Sequence, residues 1–289
     1  MNDRFLYYHK PGSKRDNILV SICILSYNSI SYIKRLIECL LNQTDYRFEI
    51  IISDDCSIDN TVLFAKNLIL ESKDLPNGGI KIYKARKNFG IVNNSKFLLE
   101  ESAGKYFKLL AADDMIAPNY VEVLLGHDNC NTDIFISDLK FIKNKKIKNI
   151  PERKKIFFQF LDLKREEQIN MLATINILNA SSVCVKRECL EKINAYSYYP
   201  VRNIEDWETW FRLWRKGFSY KFSKKTFSYY EISNPSSVDH SFNFSKVKDK
   251  FFLCLRFIKL NNKNPKIIFK LIINFLRLIK LIILKSLNS

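Results

Sequence analysis

Residues 49–61 read EIIISDDCSIDNT. The apolar run Ile50, Ile51, Ile52 ends in Ser53 and then in two carboxylates, Asp54 and Asp55. A polar turn follows at Cys56 and Ser57, and Asp59, Asn60 and Thr61 lead into a second apolar-periodic run. A short continuous apolar run bounded by polar residues suits a strand buried on both faces, as in a parallel sheet. The stretch therefore predicts a parallel strand that delivers two acids at its C-terminal end, with Asp59 or Asn60 capping the next helix. Open α/β sheets bind ligands at those strand ends. Two carboxylates there call for electropositive partners: a base edge, ribose hydroxyls or a metal ion. A plain strand-to-helix turn would use the same residues, so the stretch alone leaves both readings open.

Working outward, residues 18–27 (ILVSICILSY) form another continuous apolar run, broken at Asn28 and Ser29. Ser31 is placed to cap a helix with Ile33, Leu36, Ile37, Leu40 and Leu41 on one face. Residues 48–53 make the second strand and 62–70 belong to the following helix. Pro76-Asn77-Gly78-Gly79 marks a turn, residues 80–84 alternate as a short strand, and Asn88-Phe89-Gly90 marks another turn. A helix then runs through Phe97, Leu98 and Leu99 to Gly104. Strand alternating with helix predicts an α/β chain with a mostly parallel, doubly wound sheet and right-handed crossovers. The fourth strand repeats the opening theme: residues 106–114 read YFKLLAADD, an apolar strand ending in Asp113 and Asp114. Two acid pairs at parallel strand ends share one sheet edge. Mg²⁺ or Mn²⁺, a hard cation, prefers carboxylates together with substrate phosphates. Acids at a helix N-terminus, favoured by the dipole, are the simpler alternative for each pair taken singly.

Taken together, VSICILSYN (20–28), EIIISDDCSIDNT (49–61), ARKNFGI (85–91) and GKYFKLLAADDMIAPNY (104–120) resemble glycosyltransferase family 2 in order, spacing and strand context. These are inverting enzymes with a GT-A type nucleotide-diphospho-sugar transferase fold. The resemblance implies that Asp55, with Asp54, meets the nucleotide base. It implies that Asp113 serves the ribose and Asp114 the metal, Mg²⁺ or Mn²⁺. It also places Ser26, Tyr27, Asn28 and Asn88 on the donor. The strand-four motif often begins with an acid two residues before Asp113; here that position is Ala111. Residues 203–213, NIEDWETWFRL, match the family's ED motif. An inverting transfer needs one carboxylate to take the acceptor's proton. The match implies Asp206 as that base, with Glu205 as helper or acceptor contact. Trp207 and Trp210 are candidates to stack on a sugar, although Trp210 has the spacing of a core residue with Leu213 and Trp214. Arg212 suits either a diphosphate contact or a salt bridge. His240, in a loop around residues 235–241, matches a family histidine near the metal. The QxxRW motif of processive synthases is absent, which implies single addition.

Elsewhere the pattern is looser. Residues 133–139 suit a strand, and 166–178 have helical spacing. Residues 179–185 resemble the family's acceptor-side strand, followed by a helix over 187–193. Lys140, Lys143, Lys145, Lys146, Lys148, Arg153, Lys154 and Lys155 form a basic stretch, read as a solvated loop or as a contact for a membrane or an acceptor phosphate. Residues 267–284, IIFKLIINFLRLIKLIIL, carry Lys270, Asn274 and Arg277 at helical spacing with Lys266. A spanning helix needs about 20 residues with few charges. The tail is therefore expected to be an amphipathic helix in an anionic membrane surface, or else a helix packed on protein.

At 289 residues with 47% hydrophobic content the chain can bury a sizeable core. Its net charge of +17 points to an anionic partner. The seven cysteines are scattered without a CxxC pair, which argues for reduced thiols. Residues 1–16 lack an apolar run, so no secretory signal is expected. The expected divisions are a leader (1–17), a nucleotide-sugar half (18–125), an acceptor and catalytic half (126–245) and a basic helical tail (246–289). The expected function is transfer of a sugar to a glycan or lipid-linked acceptor in bacterial surface polysaccharide or lipo-oligosaccharide assembly, at the cytoplasmic face of the inner membrane. The implied partners are a nucleotide-diphosphate sugar, that acceptor and an anionic membrane surface, with oligomerisation allowed. Nucleic acid is not expected, because the charge lacks aromatic-rich recognition motifs. The rivals are a non-catalytic membrane-surface or anionic-ligand binding module and a sugar nucleotidyltransferase. The latter would need a glycine-rich basic loop where Tyr27-Asn28-Ser29 stands.

Overall fold

The computed structural model describes residues 3–12, 17–126, 131–143, 146–148, 150–197, 204–232, 244–260 and 265–287. Arg4–Lys10 forms β1. The expected alternation then follows: β2 (Val20–Ser26), α1 (Ile30–Leu41), β3 (Phe48–Asp54), α2 (Thr61–Glu71), β4 (Ile80–Ala85), α3 (Gly90–Glu101) and β5 (Tyr106–Ala111). The second half contains β6 (Met115–Ile116), α4 (Tyr120–Leu125), β7 (Ile134–Lys143), β8 (Lys146–Lys148), α5 (Pro151–Asp162) and α6 (Arg165–Leu172). A short turn of 3-10 helix, Ala180–Ser182, precedes β9 (Val183–Lys186) and α7 (Arg187–Lys192). The chain continues through α8 (Glu205–Arg215), β10 (Tyr220–Glu231), α9 (Phe244–Lys259) and α10 (Pro265–Leu287).

The strands join one mixed sheet in the order β1-β4-β3-β2-β5-β9-β7-β10-β6, with β8 paired to β7. β2 lies parallel to both β3 and β5, and β3 lies parallel to β4. Strand order thus runs outward from β2 to β4 and then jumps back to β5 on the other side. The C-terminal ends of β2 and β5 flank that switch point, where α/β sheets leave a crevice. Alternate residues of β2 feed two cores. Val20, Ile22 and Ile24 pack with Ile33, Leu36 and Leu40 of α1, while Cys23 packs with Leu98 of α3 and the second-half helices. That period of two, with helices on both faces, makes the sheet doubly wound.

Four expectations change. The leader over 1–17 is in part β1, which adds antiparallel to the edge of β4 from Arg4 to Lys10; an exposed sheet edge offers unpaired backbone groups to any nearby extended segment. Ser31 is not a cap: α1 starts at Ile30, and Asp59 from the next loop accepts from the Ile30 amide at 3.1 Å. The basic stretch is not simply a loop, because Lys146–Lys148 hairpins onto β7 and Pro151–Asp162 is helical, with proline at its first position. The helix expected over 166–178 stops at Leu172.

The tail is helical and amphipathic, but its orientation is unusual. Ile267 is fully buried in the core, and Asn274 is buried with its amide 3.8 Å from Cys254 Sγ. The Lys270 ammonium donates to the Thr174 carbonyl. The opposite side, Ile268, Phe269, Ile272, Phe275, Leu276 and Ile279, is exposed. Among the described residues no helix is long and apolar enough to cross a membrane. The described cysteines are all free thiols.

Candidate functional site

A cleft of about 430 Å³ opens at the ends of β2 and β5. It gathers Ser26, Tyr27, Asp55, Asn88, Asp113, Asp114, Glu205 and Asp206 from separate parts of the chain. Among the candidates, Asn28 and Asp54 stand outside it, and His240 lies outside the described residues.

The two acids after β3 divide their work. Asp54 is fully buried and accepts from the Ser57 amide at 2.9 Å and from the Ser57 hydroxyl. Burial raises its pKa against those hydrogen bonds. It ties the turn and has no face toward the cleft. Asn28 does the same from the β2 side: its backbone is left-handed (φ 47), and its side-chain oxygen accepts from the Ile58 amide at 3.1 Å. Asp55 reaches across to α3, accepting from the amides of Phe89 at 2.7 Å and Gly90 at 2.8 Å. Gly90 sits at φ +79, a backbone angle glycine takes without strain. Asp55 therefore anchors the Asn88–Gly90 turn while forming part of the cleft wall.

The second acid pair is set deeper. Arg35 braces it from below, donating to the Asp113 carbonyl at 2.6 Å and pairing with Glu231 at 3.3 Å. Asp113 is partly open to the cleft, whereas Asp114 is 3% exposed. Asp114 Oδ2 accepts from the Ser181 hydroxyl and, at 3.4 Å, from the Ala111 amide. Its Oδ1 is buried with no hydrogen-bond partner. Burial first, and the Asp113 charge second, push the Asp114 pKa up. Lys108, fully buried nearby, is pinned to the Ser181 and Val183 carbonyls. Burial lowers its pKa to about 8. A buried carboxylate oxygen without a donor, next to a second carboxylate, fits a hard divalent cation, and the oxygen-only donor set suits Mg²⁺ or Mn²⁺. Another cluster, Asp133, Glu188 and Cys189, has ligand atoms within 4.8 Å of one another. It is remote from the cleft lining, and Asp133 already accepts from Lys186 at 2.9 Å and the Ser219 hydroxyl at 2.8 Å.

Across the cleft, α8 begins with Glu205 and Asp206 in its first turn, where the helix dipole favours acids. The Asn176 amide donates to both Asp206 oxygens, at 3.1 and 3.2 Å. Glu205 Oε2 is buried without a hydrogen-bond partner, and burial together with Asp206 raises its pKa. The pair is thus split: Glu205 favours the protonated state, and Asp206 is held in a fixed orientation by the asparagine. The aromatic candidates face inward. Trp210 is buried, and the Trp207 indole donates to the Leu172 carbonyl at 2.5 Å while its ring meets Phe257. Arg212 takes the salt-bridge alternative, pairing with Glu208 at 3.4 Å.

Sequence reasoning missed Asn176, Ser181, Asn179 and Arg153 as cleft residues. Ser181 and Asn179 lay in a segment recognised as a strand on the acceptor side; Arg153 was marked only as one of a basic stretch, and Asn176 carries no local signal of its role.

The model of the family described as Glycosyl transferase family 2 matches residues 21–193, more than half of the chain. An uncharacterised glycosyltransferase of Haemophilus influenzae is 32% identical over 116 residues, which is 40% of this chain and 34% of that protein. Chondroitin synthase of Pasteurella multocida is 34% identical over 112 residues, 37% of this chain and 10% of that one. The chain therefore aligns with about a third or less of the length of these curated relatives. Among solved structures, S. aureus TarS 1-349 in complex with UDP-GlcNAc superposes with a TM-score of 0.65 at 15% identity, covering 90% of this chain and 72% of that one. Mannosyltransferase PcManGT from Pyrobaculum calidifontis, in complex with GDP-Man and Mn²⁺, gives 0.58 at 13% identity, covering 94% and 75%. The fold is the α/β, GT-A glycosyltransferase fold.

Proposed function

Because this chain belongs to glycosyltransferase family 2, we propose that it inverts the anomeric carbon of a nucleotide-diphosphate sugar while transferring that sugar to an acceptor hydroxyl. The observation that carries the reading is the cleft itself, with an acid pair on each side and Asp206 fixed by Asn176. The nucleotide would lie along Ser26, Tyr27, Asp55 and Asn88, and Asp113 would serve the ribose. The UDP-GlcNAc and GDP-Man bound by the two structural neighbours support a donor of that class. Asp114 would hold Mg²⁺ or Mn²⁺ through its donorless oxygen. The cation, when bound, neutralises charge developing on the diphosphate.

The protein's own part is orientation and proton transfer. The acceptor hydroxyl attacks the anomeric carbon opposite the diphosphate, and Asp206 takes its proton. The new C–O bond forms as the bond to the phosphate oxygen breaks, and the nucleoside diphosphate leaves with that oxygen. Glu205, favouring its protonated form, contributes a hydrogen-bond donor beside the base and adds no second charge.

The acceptor we propose is a glycan or a lipid-linked glycan of bacterial surface polysaccharide, a role supported by the chondroitin and hyaluronan synthases among the relatives. The outward apolar side of α10, flanked by exposed Lys266 and Arg277, supports seating on an anionic membrane surface at its cytoplasmic face. The test is a panel of UDP- and GDP-sugars with Mn²⁺, read by thermal shift. A saturating ligand at about 100 times its Kd stabilises by about 2.7 kcal/mol. One donor should raise the Tm by several degrees, and only with the metal present. A panel without any shift would overturn the donor reading.

A further inference from the structure

A second cavity, about 310 Å³, lies beside the cleft and shares Arg153 and Asn179 with it. Its walls come from β7, β8, the first turns of α5 and the segment before β9. Two kinds of side chain meet there. Phe141, Phe157, Ile150 and Pro151 make an apolar lining. Lys140, Lys148, Arg153 and Lys154 supply four cations, against one carboxylate, Asp138. Lys154 answers that carboxylate at 3.0 Å. Arg153 lies over the Phe141 ring, its guanidinium 5.3 Å from the centroid. Lys140 and Lys148 are exposed and form no ion pair among the described residues. The cavity therefore holds a surplus of positive charge in a partly apolar concavity that shares a wall with the cleft.

We propose that this cavity binds a phosphate ester on the acceptor, with Lys140, Lys148 and Arg153 around the phosphate and the apolar lining against the group attached to it. The proposal rests on the transferase reading above and names the acceptor's chemistry. Lysines act as point charges for phosphate, and an arginine adds directional donors. A neutral sugar would leave those charges unmatched, and a bare anion would leave the aromatic walls unused. The connection through Arg153 and Asn179 lets a phosphate sit in the cavity while a hydroxyl of the same molecule reaches Asp206. The phosphate is an anchor here and takes no part in bond making. It can belong to a lipid carrier or to a sugar phosphate.

The test uses the full chain, calorimetry and five probes: UDP with Mn²⁺ for the cleft, and octyl phosphate, glucose 1-phosphate, octyl glucoside and glucuronate for the cavity. Octyl phosphate or glucose 1-phosphate should bind at least tenfold more tightly than octyl glucoside and glucuronate. The Lys140→Gln, Lys148→Gln double variant should lose at least tenfold of that binding while keeping UDP binding, which also reports that it is folded. Preference for octyl phosphate assigns a lipid source, and preference for glucose 1-phosphate a sugar source; either supports the cavity's role. Equal binding of phosphate esters by wild type and the double variant overturns the proposal. So does glucuronate binding as tightly as the phosphates, or the absence of phosphate binding while UDP binds. If UDP, and GDP in its place, both fail to bind with Mn²⁺ while the phosphates bind, the donor reading fails, and the cavity is an anion site unconnected to transfer.

Discussion

At Asp114 burial and the neighbouring Asp113 charge favour the protonated acid, and the Ser181 hydroxyl opposes them less strongly. The folded-state pKa is raised from 3.8 to about 8. A raised value means that stability from this group is complete below the ordinary carboxylate range. That stability is lost as pH climbs through the folded value. A divalent cation binds the ionised form, so its stabilisation should grow over the same interval. Mn²⁺ should therefore raise the Tm more at about pH 8 than at about pH 6, and Asp114→Asn should remove that pH dependence. An equal metal shift at both pH values in the wild type would place the cation elsewhere. The residue scale also shows where sequence stops being informative. Asp54 and Asp55 are adjacent acids with equal claims in the sequence, yet the strand's alternation buries one against Ser57 and turns the other toward Phe89 and Gly90. Asp206 was legible through its motif, but its orienting partner Asn176 sits 30 residues earlier, in a stretch whose helical spacing continues past the real helix end at Leu172 and so misplaces it.

At the element scale α10 is the informative case. Its apolar content and helical period were legible in the sequence; which side would face the protein was not. The polar residues Lys270 and Asn274 sit at the packed side with Ile267 and Leu271, because Thr174 and Cys254 offer them partners there. The exposed side is apolar. Removing the whole helix would strip Ile267 from the core as well, so a surface change separates lipid binding from folding more cleanly. Ile272→Glu with Leu276→Glu should leave the Tm nearly unchanged, since both are about half exposed (51% and 59%). It should sharply reduce cosedimentation with anionic vesicles, each basic group near such a surface contributing about 1 kcal/mol and the apolar side more. Salt should weaken the wild type's binding only in part, because the apolar contribution is not screened. Unchanged vesicle binding, or a change from dimer to monomer instead, would make this face a protein contact.

Across the whole molecule, legibility follows contact distance. The β2-to-β5 half was readable because each strand–helix unit packs on its sequence neighbours and buries a continuous apolar run. The other half pairs distant segments: β9 lies antiparallel to both β5 and β7, and β10 runs parallel to β7. Short or charge-interrupted strands such as Lys146–Lys148 and Arg4–Lys10 likewise gain their conformation from their partners, β7 and β4, and not from their own composition. Both halves are required for the account's central claim, because the donor acids come from the first and the base from the second. The direct test is Asp206→Asn, which keeps the side chain's shape and one oxygen to accept from the Asn176 amide but cannot take a proton. With the donor identified by the panel, kcat for transfer should fall about 10²- to 10⁴-fold, while the donor Kd, measured by calorimetry, stays within about twofold, the pattern of an interaction made in the transition state. Transfer at the wild-type rate by that variant would contradict the account.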